Sequence, residues 1–253
     1  FKCGTIWGSG QGVSTTFFGQ GASRPVLRGL GAERVLVLTN GIGVIDVSAA
    51  SPDHQAAADG IDAEKVEILR GPAALAYGGQ AIGGVVNVID GLIVEKLPDE
   101  PLSFDGLAAT NSVNEGTETA GKVRYTTGPF VLTLSASARD FGNYDIPGFA
   151  ESSRLRASEE HEEGEEDHDH EHEHEEAYAT LENSFLQTGT FAGGLSWVGD
   201  NGFLGFGVRH QTSEYGLPGH EHGEEGHDGE EEADHEEESL FIDLEQTRYD
   251  FRG

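Results

Sequence analysis

The sequence predicts an all-β membrane barrel, of which about six antiparallel strands are present, preceded by a small α+β domain. Three observations support this fold class. Residues 13–98 mix short apolar runs with glycine-rich joints, residues from about 103 onward alternate apolar with small or polar side chains, and the connections between the alternating segments differ greatly in length. No run of about 18 apolar residues is present, so a membrane helix is excluded, whereas membrane strands need only about ten alternating residues each.

The first region, residues 1–98, carries the signals of a small α+β domain. Segment 34–45, RVLVLTNGIGVI, predicts two buried strands around an Asn-Gly turn, which is the strongest short hairpin signal. Segment 64–72, EKVEILRGP, predicts a strand stopped by Gly and Pro. Segment 73–78, AALAYG, predicts a short helix capped by Gly, and segment 84–89, GVVNVI, predicts a further strand.

The second region, residues 99–253, follows a linker-like LPDEP segment and consists of alternating segments. In the third of these, Leu132 and Leu134 fall on one face and Thr133 on the other. This pattern is typical of a strand with lipid or a core on one side and a wet lumen on the other. We predict six strands, at about 103–113, 117–127, 129–141, 179–198, 203–214 and 240–252.

The connections between these strands alternate between short and long. Successive turns of an up-and-down meander lie at alternate ends of the sheet, so the first, third and fifth connections share one end. The two long connections, 142–178 and 215–239, therefore share an end, and the other end has only tight turns. Long loops at one end and short turns at the other are typical of outer-membrane barrels. Six strands are too few to close such a barrel and the first residue is not Met, so we expect the natural protein to extend beyond both ends.

The charge of the chain is concentrated in the two long connections. The chain has 46 acidic and 15 basic residues and a formal net charge of −31. Residues 159–176, here called tract 1, hold 12 acids and 5 His, and residues 220–238, here called tract 2, hold 11 acids and 4 His. Without a basic stripe, the chain is not expected to bind nucleic acid. A single cysteine excludes a disulfide framework and a thiolate metal cluster within this chain.

The histidines of the two tracts are candidate metal ligands. Neutral imidazole together with carboxylate is a suitable ligand set for Zn²⁺. The alternative is a solvated run of like charge that stays disordered and binds nothing in particular. Because such a ligand set binds Cu²⁺ more tightly than Zn²⁺, the residue types alone leave the metal open. The candidate ligands are His161, His168, His170, His172, His174, His220, His222, His227 and His235.

No motif in the sequence predicts an enzyme. GSGQG at 8–12 lacks the spacing of a dinucleotide-binding loop and no helix follows it, and no nucleophile elbow is present. We therefore predict neither catalytic residues nor a catalytic cofactor.

Two segments, 13–42 and 62–90, resemble a known family. In this order, VLRG, the VLTNG hairpin, VEILRGP, the ALAYG helix and the GGVVNVI strand are similar to the plug of TonB-dependent outer-membrane receptors. The resemblance implies a plug inside a barrel of roughly 22 strands, surrounded by the lipid of the bacterial outer membrane. It also implies a receptor that catches a scarce ligand outside and releases it inward when the TonB energy-transducing complex pulls on the plug. In such receptors, arginines similar to Arg28 and Arg70 anchor the plug to barrel carboxylates.

The two tracts further resemble the surface loops of the zinc-uptake branch of this family. In that branch an Asp-His pair in the plug loop after the hairpin is similar to Asp53-His54, and forms part of a metal site completed by barrel residues. The resemblance implies Zn²⁺ as the bound or transported ligand. On its own, the dipeptide is better explained by an Asx turn after Pro52 with an exposed histidine. Two alternatives remain: a siderophore or haem receptor whose tracts only buffer metal, and a surface metal-binding protein without transport.

Overall fold

The computed structural model describes residues 12–43, 48, 51, 54–55, 61–154, 156, 177–218 and 240–253. The described residues form two parts, a small inner domain up to residue 95 and a large antiparallel sheet from residue 102 onward. We call the inner domain the plug and the sheet the wall. No helix within the described ranges is long and apolar enough to cross a bilayer.

The plug is built from two small sheets. Its strands are β1 (Val13–Thr15), β2 (Pro25–Leu27), β3 (Val35–Thr39), β4 (Ile42–Gly43), β5 (Lys65–Leu69) and β6 (Gly84–Ile89). β1 pairs with β2, and the other four lie in the order β4-β3-β6-β5, with β3 and β6 parallel. On β6, Val86 and Val88 pack into one apolar cluster and Val85 into another. The strand is therefore covered on both faces, which explains why its sequence is a continuous apolar run.

The predicted hairpin and helix of the plug form with local differences. Asn40 and Gly41 have φ values of 53° and 80°, the left-handed conformation that a two-residue hairpin turn requires. The expectation that both hairpin strands are buried is wrong for the second, since both residues of β4 are exposed. The helix predicted at 73–78 is a 3₁₀ helix over Gly71–Tyr77, and it ends at Gly78 with a φ of 104°.

The wall is a six-stranded meander in which every neighbouring pair is antiparallel. Its strands are β7 (Leu102–Asn111), β8 (Gly116–Thr127), β9 (Phe130–Phe141), β12 (Leu186–Gly199), β13 (Gly202–Gly216) and β14 (Phe241–Arg252). They lie in the order β14-β13-β12-β9-β8-β7. Each of the six predicted segments contributes a strand to the wall, and the alternation expected from the sequence is confirmed on β9, where exposed and buried residues follow one another without a break.

The segment before β12 differs from the prediction. The strand predicted at 179–198 is two strands, because β11 (Tyr178–Leu181) pairs with β10 (Tyr144–Phe149) in a separate hairpin inside the connection predicted at 142–178. Asn183 has a φ of 52°, and the Ser184 hydroxyl donates a 2.6 Å hydrogen bond to the Leu181 carbonyl. These local bonds interrupt the ladder between β11 and β12.

The two faces of the wall have opposite polarity. Its outward face carries rows of exposed apolar side chains, and one row crosses all six strands through register partners. The members of this row are Leu102, Tyr125, Leu132, Leu195, Phe206 and Phe251, each exposed. The inward face carries buried Thr, Ser, Lys and Arg side chains that meet the plug. Apolar residues outside and polar residues inside are the arrangement expected of a barrel wall surrounded by lipid.

Candidate functional site

The ends of the wall differ in the connections they carry. Turns 128–129 and 200–201 join strands at one end, here called the turn end. The opposite end, here called the loop end, carries connections 112–115, 142–185 and 217–240. Tracts 1 and 2 fall within the last two of these connections, so both leave the wall at the loop end, as the order of the strands predicts.

Most of the predicted metal ligands lie outside the described residues. Among the described residues, no group of three or more His, Cys, Asp or Glu side chains is arranged to hold a metal ion. His54 is described. It is half-buried, and its backbone N–H donates to the Ser51 carbonyl at 3.3 Å, the hydrogen bond of a turn that we call the His54 turn. The predicted ligands outside the described residues are Asp53, His161, His168, His170, His172, His174, His220, His222, His227 and His235.

The turn that carries His54 contacts the loop end of the wall. The backbone N–H of Gln55 donates a 3.0 Å hydrogen bond to the phenol oxygen of Tyr215, and both residues are buried. Tyr215 is the last inward-facing residue of β13 before Gly216 and the connection that contains tract 2. The structure therefore brings the His54 turn to the end of the wall from which both tracts leave.

A second contact at the loop end is centred on Gln20 of the plug. Its amide nitrogen donates to the Gly142 and Ser184 carbonyls at 2.6 and 2.7 Å, and its amide oxygen accepts a hydrogen bond from the Asn114 side chain. Gly21 follows directly, and a Cβ at this position would lie 3.1 Å from the Leu186 side chain. This buried polar network fixes the plug against two of the connections of the wall, 112–115 and 142–185.

Midway along the wall, a carboxylate of the plug is enclosed by the wall. Arg209 donates two hydrogen bonds to the Asp62 carboxylate, at 2.6 and 2.9 Å, and the Ser135 hydroxyl donates a third at 2.8 Å. Burial alone would raise the pKa of Asp62, but the Arg209 guanidinium, the Ser135 hydroxyl and the Lys122 ammonium outweigh burial and hold the pKa below its ordinary value. The carboxylate is therefore charged and paired.

Further cations surround this pair and hold the plug segments next to Asp62. The Lys122 ammonium donates to the Asp62 and Asp90 carbonyls at 2.7 and 2.6 Å. Arg248 forms an ion pair with the Asp90 carboxylate, and Arg124 donates to Glu64 at 2.9 Å.

Most of these cations lie in a single cross-strand row of the inward face. Lys122 pairs in register with Ser135, and Ala192 follows on β12. Arg209 and Arg248 complete the row on β13 and β14. We call this set, Lys122, Arg209 and Arg248, the cationic row.

Among the described residues, four ion pairs join plug carboxylates to wall cations. The resemblance implied pairs of the opposite polarity, in which Arg28 and Arg70 of the plug anchor to barrel carboxylates. Both arginines are exposed, and Arg28 lies just beyond β2 with a φ of 53°. Their anchoring stays a prediction, because the wall described here has only six strands. The sequence analysis singled out the arginines of the plug. It did not single out Asp62 or Asp90, because no periodic pattern in the sequence marks these residues as buried.

At the turn end, the plug chain packs onto glycines of the wall. A Cβ at Gly194 would lie 2.2 Å from the Leu92 carbonyl oxygen, and a Cβ at Gly205 would lie 2.3 Å from the Ile93 side chain. The backbone N–H of Val94 donates to the Ser196 hydroxyl at 2.8 Å. In the sequence Gly205 alternates with the apolar Leu204 and Phe206, but nothing marks Gly194 or Gly205 as a contact site for the plug.

The two chain segments that flank tract 2 are held together by the side chain of Asn183, which follows tract 1 in the chain. The amide nitrogen of Asn183 donates to the Leu217 and Leu240 carbonyls at 3.1 and 2.7 Å, and the backbone N–H of Leu217 donates to the Leu240 carbonyl at 3.2 Å. A Cβ at Gly216 would lie 2.2 Å from the Asn183 carbonyl oxygen. The chain therefore enters and leaves tract 2 through a neck that Asn183 holds closed.

The base of tract 1 is closed in a different way. The backbone N–H of Ala150 donates to the Ala177 carbonyl at 2.9 Å, and the Phe149 and Tyr178 rings are 4.8 Å apart. The Arg156 guanidinium lies 3.9 Å above the Phe149 ring. Aromatic and cation–π contacts of this kind stabilise a hairpin base by about 0.5–1.5 kcal/mol each.

Comparison with known proteins agrees with this arrangement. Residues 8–85 match the family described as TonB-dependent Receptor Plug Domain. Over 80 residues the chain is 38% identical to the Vitamin B12 transporter BtuB of Photobacterium profundum, an alignment that covers 31% of this chain and 13% of that protein.

The fold is also similar to solved structures. For the Copper transporter OprC the TM-score is 0.61 at 15% identity, over 83% of this chain and 28% of that one. For the FrpB iron transporter from Neisseria meningitidis (F3-3 variant) the TM-score is 0.53 at 14% identity, over 84% of this chain and 29% of that one. The chain thus spans less than a third of the length of each of these proteins. Together with the apolar outward face, these findings support the TonB-dependent receptor family, with residues 8–85 similar to its plug domain, and place the protein in the outer membrane of Gram-negative bacteria.

Proposed function

We propose that this chain is part of a receptor that imports a metal ion across the outer membrane, with zinc as the favoured cargo and the TonB complex as the energy source. One structural relationship carries the proposal. The connections that contain tracts 1 and 2 leave the wall at the loop end, where the His54 turn also contacts the wall through Gln55 and Tyr215. The two tracts and the candidate plug ligand His54 are therefore associated with the same end of the wall, which supports the proposal.

In this proposal the two tracts collect zinc and the plug receives it. Many carboxylates and imidazoles bind the ion weakly and exchangeably, and their strongly negative field attracts cations. The ion then passes to a tighter site that contains Asp53 and His54. Two adjacent side chains supply only half of the roughly four ligands that zinc takes in proteins, so residues of the barrel complete the site. Displacement of the plug then admits the ion to the periplasm.

A metal chelate or haem is the second candidate cargo, and one observation favours it. The Phe17 side chain of the plug is 54% exposed, and its ring lies 5.7 Å from that of Tyr144 at the loop end. Exposed aromatic rings suit an organic ligand better than a bare ion. This candidate predicts that deletion of both tracts leaves uptake of the chelate intact, because the tracts would then only buffer metal.

Uptake of radioactive zinc by cells that carry the full-length receptor tests the proposal. Wild type is compared with Asp53→Ala/His54→Ala, each with and without TonB. His210→Ala is the matched control, because His210 lies on the wall and its ring forms a hydrogen bond with the Thr247 hydroxyl rather than with the plug. We expect uptake that requires TonB, collapses in the double variant and persists in the control.

Two results would contradict the proposal. If wild type takes up no zinc by a TonB-dependent route, zinc is not the imported cargo. Zinc binding that depends on the tracts but is indifferent to TonB would instead indicate a surface metal-binding protein without transport. Imidazole binds a metal only in its neutral form, so capture should also fail below about pH 6. Full retention of zinc at about pH 5 would argue against histidine ligands.

A further inference from the structure

Tyr215 occupies a position that the proposed metal site depends on. Its phenol oxygen accepts the hydrogen bond of the Gln55 backbone N–H at 3.0 Å, and Gln55 directly follows His54. Consecutive Cα atoms are about 3.8 Å apart, so a bond that fixes the Gln55 amide also restricts the position of His54. The bond joins a backbone group of the plug to a side chain of the wall. It therefore stabilises the docking of the turn against the wall rather than the internal conformation of the turn.

The phenol ring is itself held firmly. Tyr215 is 2% exposed and packs in an apolar cluster with Phe141 and Leu186. In the sheet it pairs with Leu186 on one side and with Ile242 on the other. Its ring position is therefore set by three strands of the wall, and the hydroxyl is a fixed acceptor rather than a group at the end of a mobile side chain.

The plug chain returns to the same strand a few residues later. Asp62 is bound by Arg209, which lies on β13 and on the same inward face as Tyr215. The plug segment that follows His54 is thus attached to β13 at Gln55 and again at Asp62. Beyond Tyr215, β13 continues through Gly216 into the neck that Asn183 closes at the base of tract 2.

We propose that Tyr215 is a positioning residue for the cargo site, holding the turn that carries His54 against β13, the strand that leads into tract 2. The inference rests on the proposed function for its cargo, but not for the docking of the turn. Without the hydroxyl, the buried N–H of Gln55 loses its acceptor, which penalises the docked position of the turn. His54 then samples positions in which it cannot share an ion with ligands of the barrel.

Zinc binding by the purified full-length receptor tests this inference. Glutamine replaces the nine tract histidines in the background protein, so that the plug site is measured without the tracts. Tyr215→Phe removes only the hydroxyl and keeps the ring in its cluster. Tyr249→Phe is the matched control, since Tyr249 faces outward and is exposed. We expect about five- to tenfold weaker zinc binding for Tyr215→Phe by calorimetry, and no change for Tyr249→Phe.

Uptake kinetics in cells and amide exchange separate positioning from a general structural role. We expect Tyr215→Phe to raise the KM for zinc uptake without lowering the maximal rate, and to speed hydrogen exchange of the Gln55 amide. A receptor that merely folds less well would lose maximal rate at unchanged KM, and this result would overturn the inference.

The failure of the inference and the failure of the proposed function are distinguishable. Zinc affinity that falls in Asp53→Ala/His54→Ala but not in Tyr215→Phe overturns the role of Tyr215 and leaves the proposed function standing. Zinc affinity that is unchanged in Asp53→Ala/His54→Ala overturns the plug site itself. Exchange of the Gln55 amide that is equally slow in Tyr215→Phe and wild type overturns the docking role whatever the cargo.

Discussion

Arg209 of the wall donates two hydrogen bonds to the Asp62 carboxylate of the plug, and the Arg209 and Asp62 side chains are 9% and 2% exposed. Loss of one partner of a buried pair leaves the other charge buried without compensation, which costs about 3–5 kcal/mol. We expect Arg209→Ala to lower the stability of the docked plug by about that amount. Limited proteolysis of the plug in increasing urea measures the change.

A weaker ion pair of the same kind is the control for this variant. Arg252 approaches Glu95 at 3.5 Å, and the Glu95 side chain is 58% exposed. Solvent screens such a pair, so Arg252→Ala should cost no more than about 1 kcal/mol. Arg209→Lys keeps the charge but loses the bidentate hydrogen bonding to the carboxylate. Its loss of plug stability should lie between those of Arg209→Ala and Arg252→Ala. Equal effects of Arg209→Ala and Arg252→Ala would show that burial of the pair is unimportant.

Docking of the plug should depend on pH in a defined window. The pKa of Asp62 in the folded protein is held below its ordinary value by Arg209, Ser135 and Lys122 against the opposing effect of burial. Such a group contributes stability above its unfolded pKa of about 3.9, and this contribution is lost as the pH falls through the lower folded pKa. We expect docking to be constant from about pH 8 to pH 5 and to weaken below about pH 4.

Asp62→Asn isolates this contribution. Its docking should be weaker at neutral pH, and the difference from wild type should shrink as the pH falls below about 4. Hydrogen exchange of the plug amides at a series of pH values measures both proteins, after correction for the intrinsic pH dependence of exchange. A difference that disappears already between pH 7 and pH 5 would show that another group governs docking.

Substitution by alanine should destabilise the docked plug at one of two neighbouring glycines of β12 and be tolerated at the other. A Cβ at Gly194 would meet the backbone of Leu92 at 2.2 Å, whereas a Cβ at Gly193 would make only ordinary contacts, with the Leu134 side chain at 3.5 Å and the Thr133 carbonyl oxygen at 3.9 Å. Gly194→Ala should therefore displace the plug chain at the turn end and cost at least about 1–3 kcal/mol. Gly193→Ala should be tolerated within about 0.5 kcal/mol. The urea midpoint for proteolysis of the plug distinguishes them, and equal midpoints would contradict this seat for Leu92.

The neck of tract 2 should open when Asn183 loses its side chain. Asn183 has a φ of 52°, which glycine also adopts, so Asn183→Gly removes the amide without straining the backbone. Loss of the hydrogen bonds to Leu217 and Leu240 should speed exchange of the Leu217 amide by about five- to tenfold. Asn183→Ala removes the amide and adds strain, so its effect should be larger. If Asn183→Gly leaves exchange unchanged, the neck is held by the backbone bond alone.

Local patterns in the sequence predicted the greater part of the fold. The period-2 alternation marked the strands of the wall, most clearly β9 and β13, because successive side chains of a strand point to opposite sides. It was poor in β14, where Asp243, Glu245 and Gln246 interrupt the pattern. Asn40 and Gly41 marked the hairpin turn through their tolerance of positive φ. The order of short and long connections was enough to bring both tracts to one end of the wall. The β10–β11 hairpin was missed because local bonds of Asn183 and Ser184, rather than periodicity, end β11.

The candidate site was harder to predict from the sequence than the fold. His54 was singled out through a resemblance, and its residue type alone would not have distinguished it from an exposed histidine in a turn. Tyr215 was part of a predicted connection and carried no signal of its own. Its role depends on a hydrogen bond to the backbone of Gln55, and any residue can offer a backbone N–H.

By itself the sequence determined the membrane-facing strands, the hairpin of the plug and the end of the wall at which the acidic, histidine-rich tracts leave, since each follows from spacing within one segment. Only the tertiary structure decided which charges of the plug meet which charges of the wall. Asp62 and Asp90 meet Lys122, Arg209 and Arg248 because three strands bring those cations into one row. The pairing of these charges is thus a property of strand register, and register is fixed by pairing between segments that are distant in the chain.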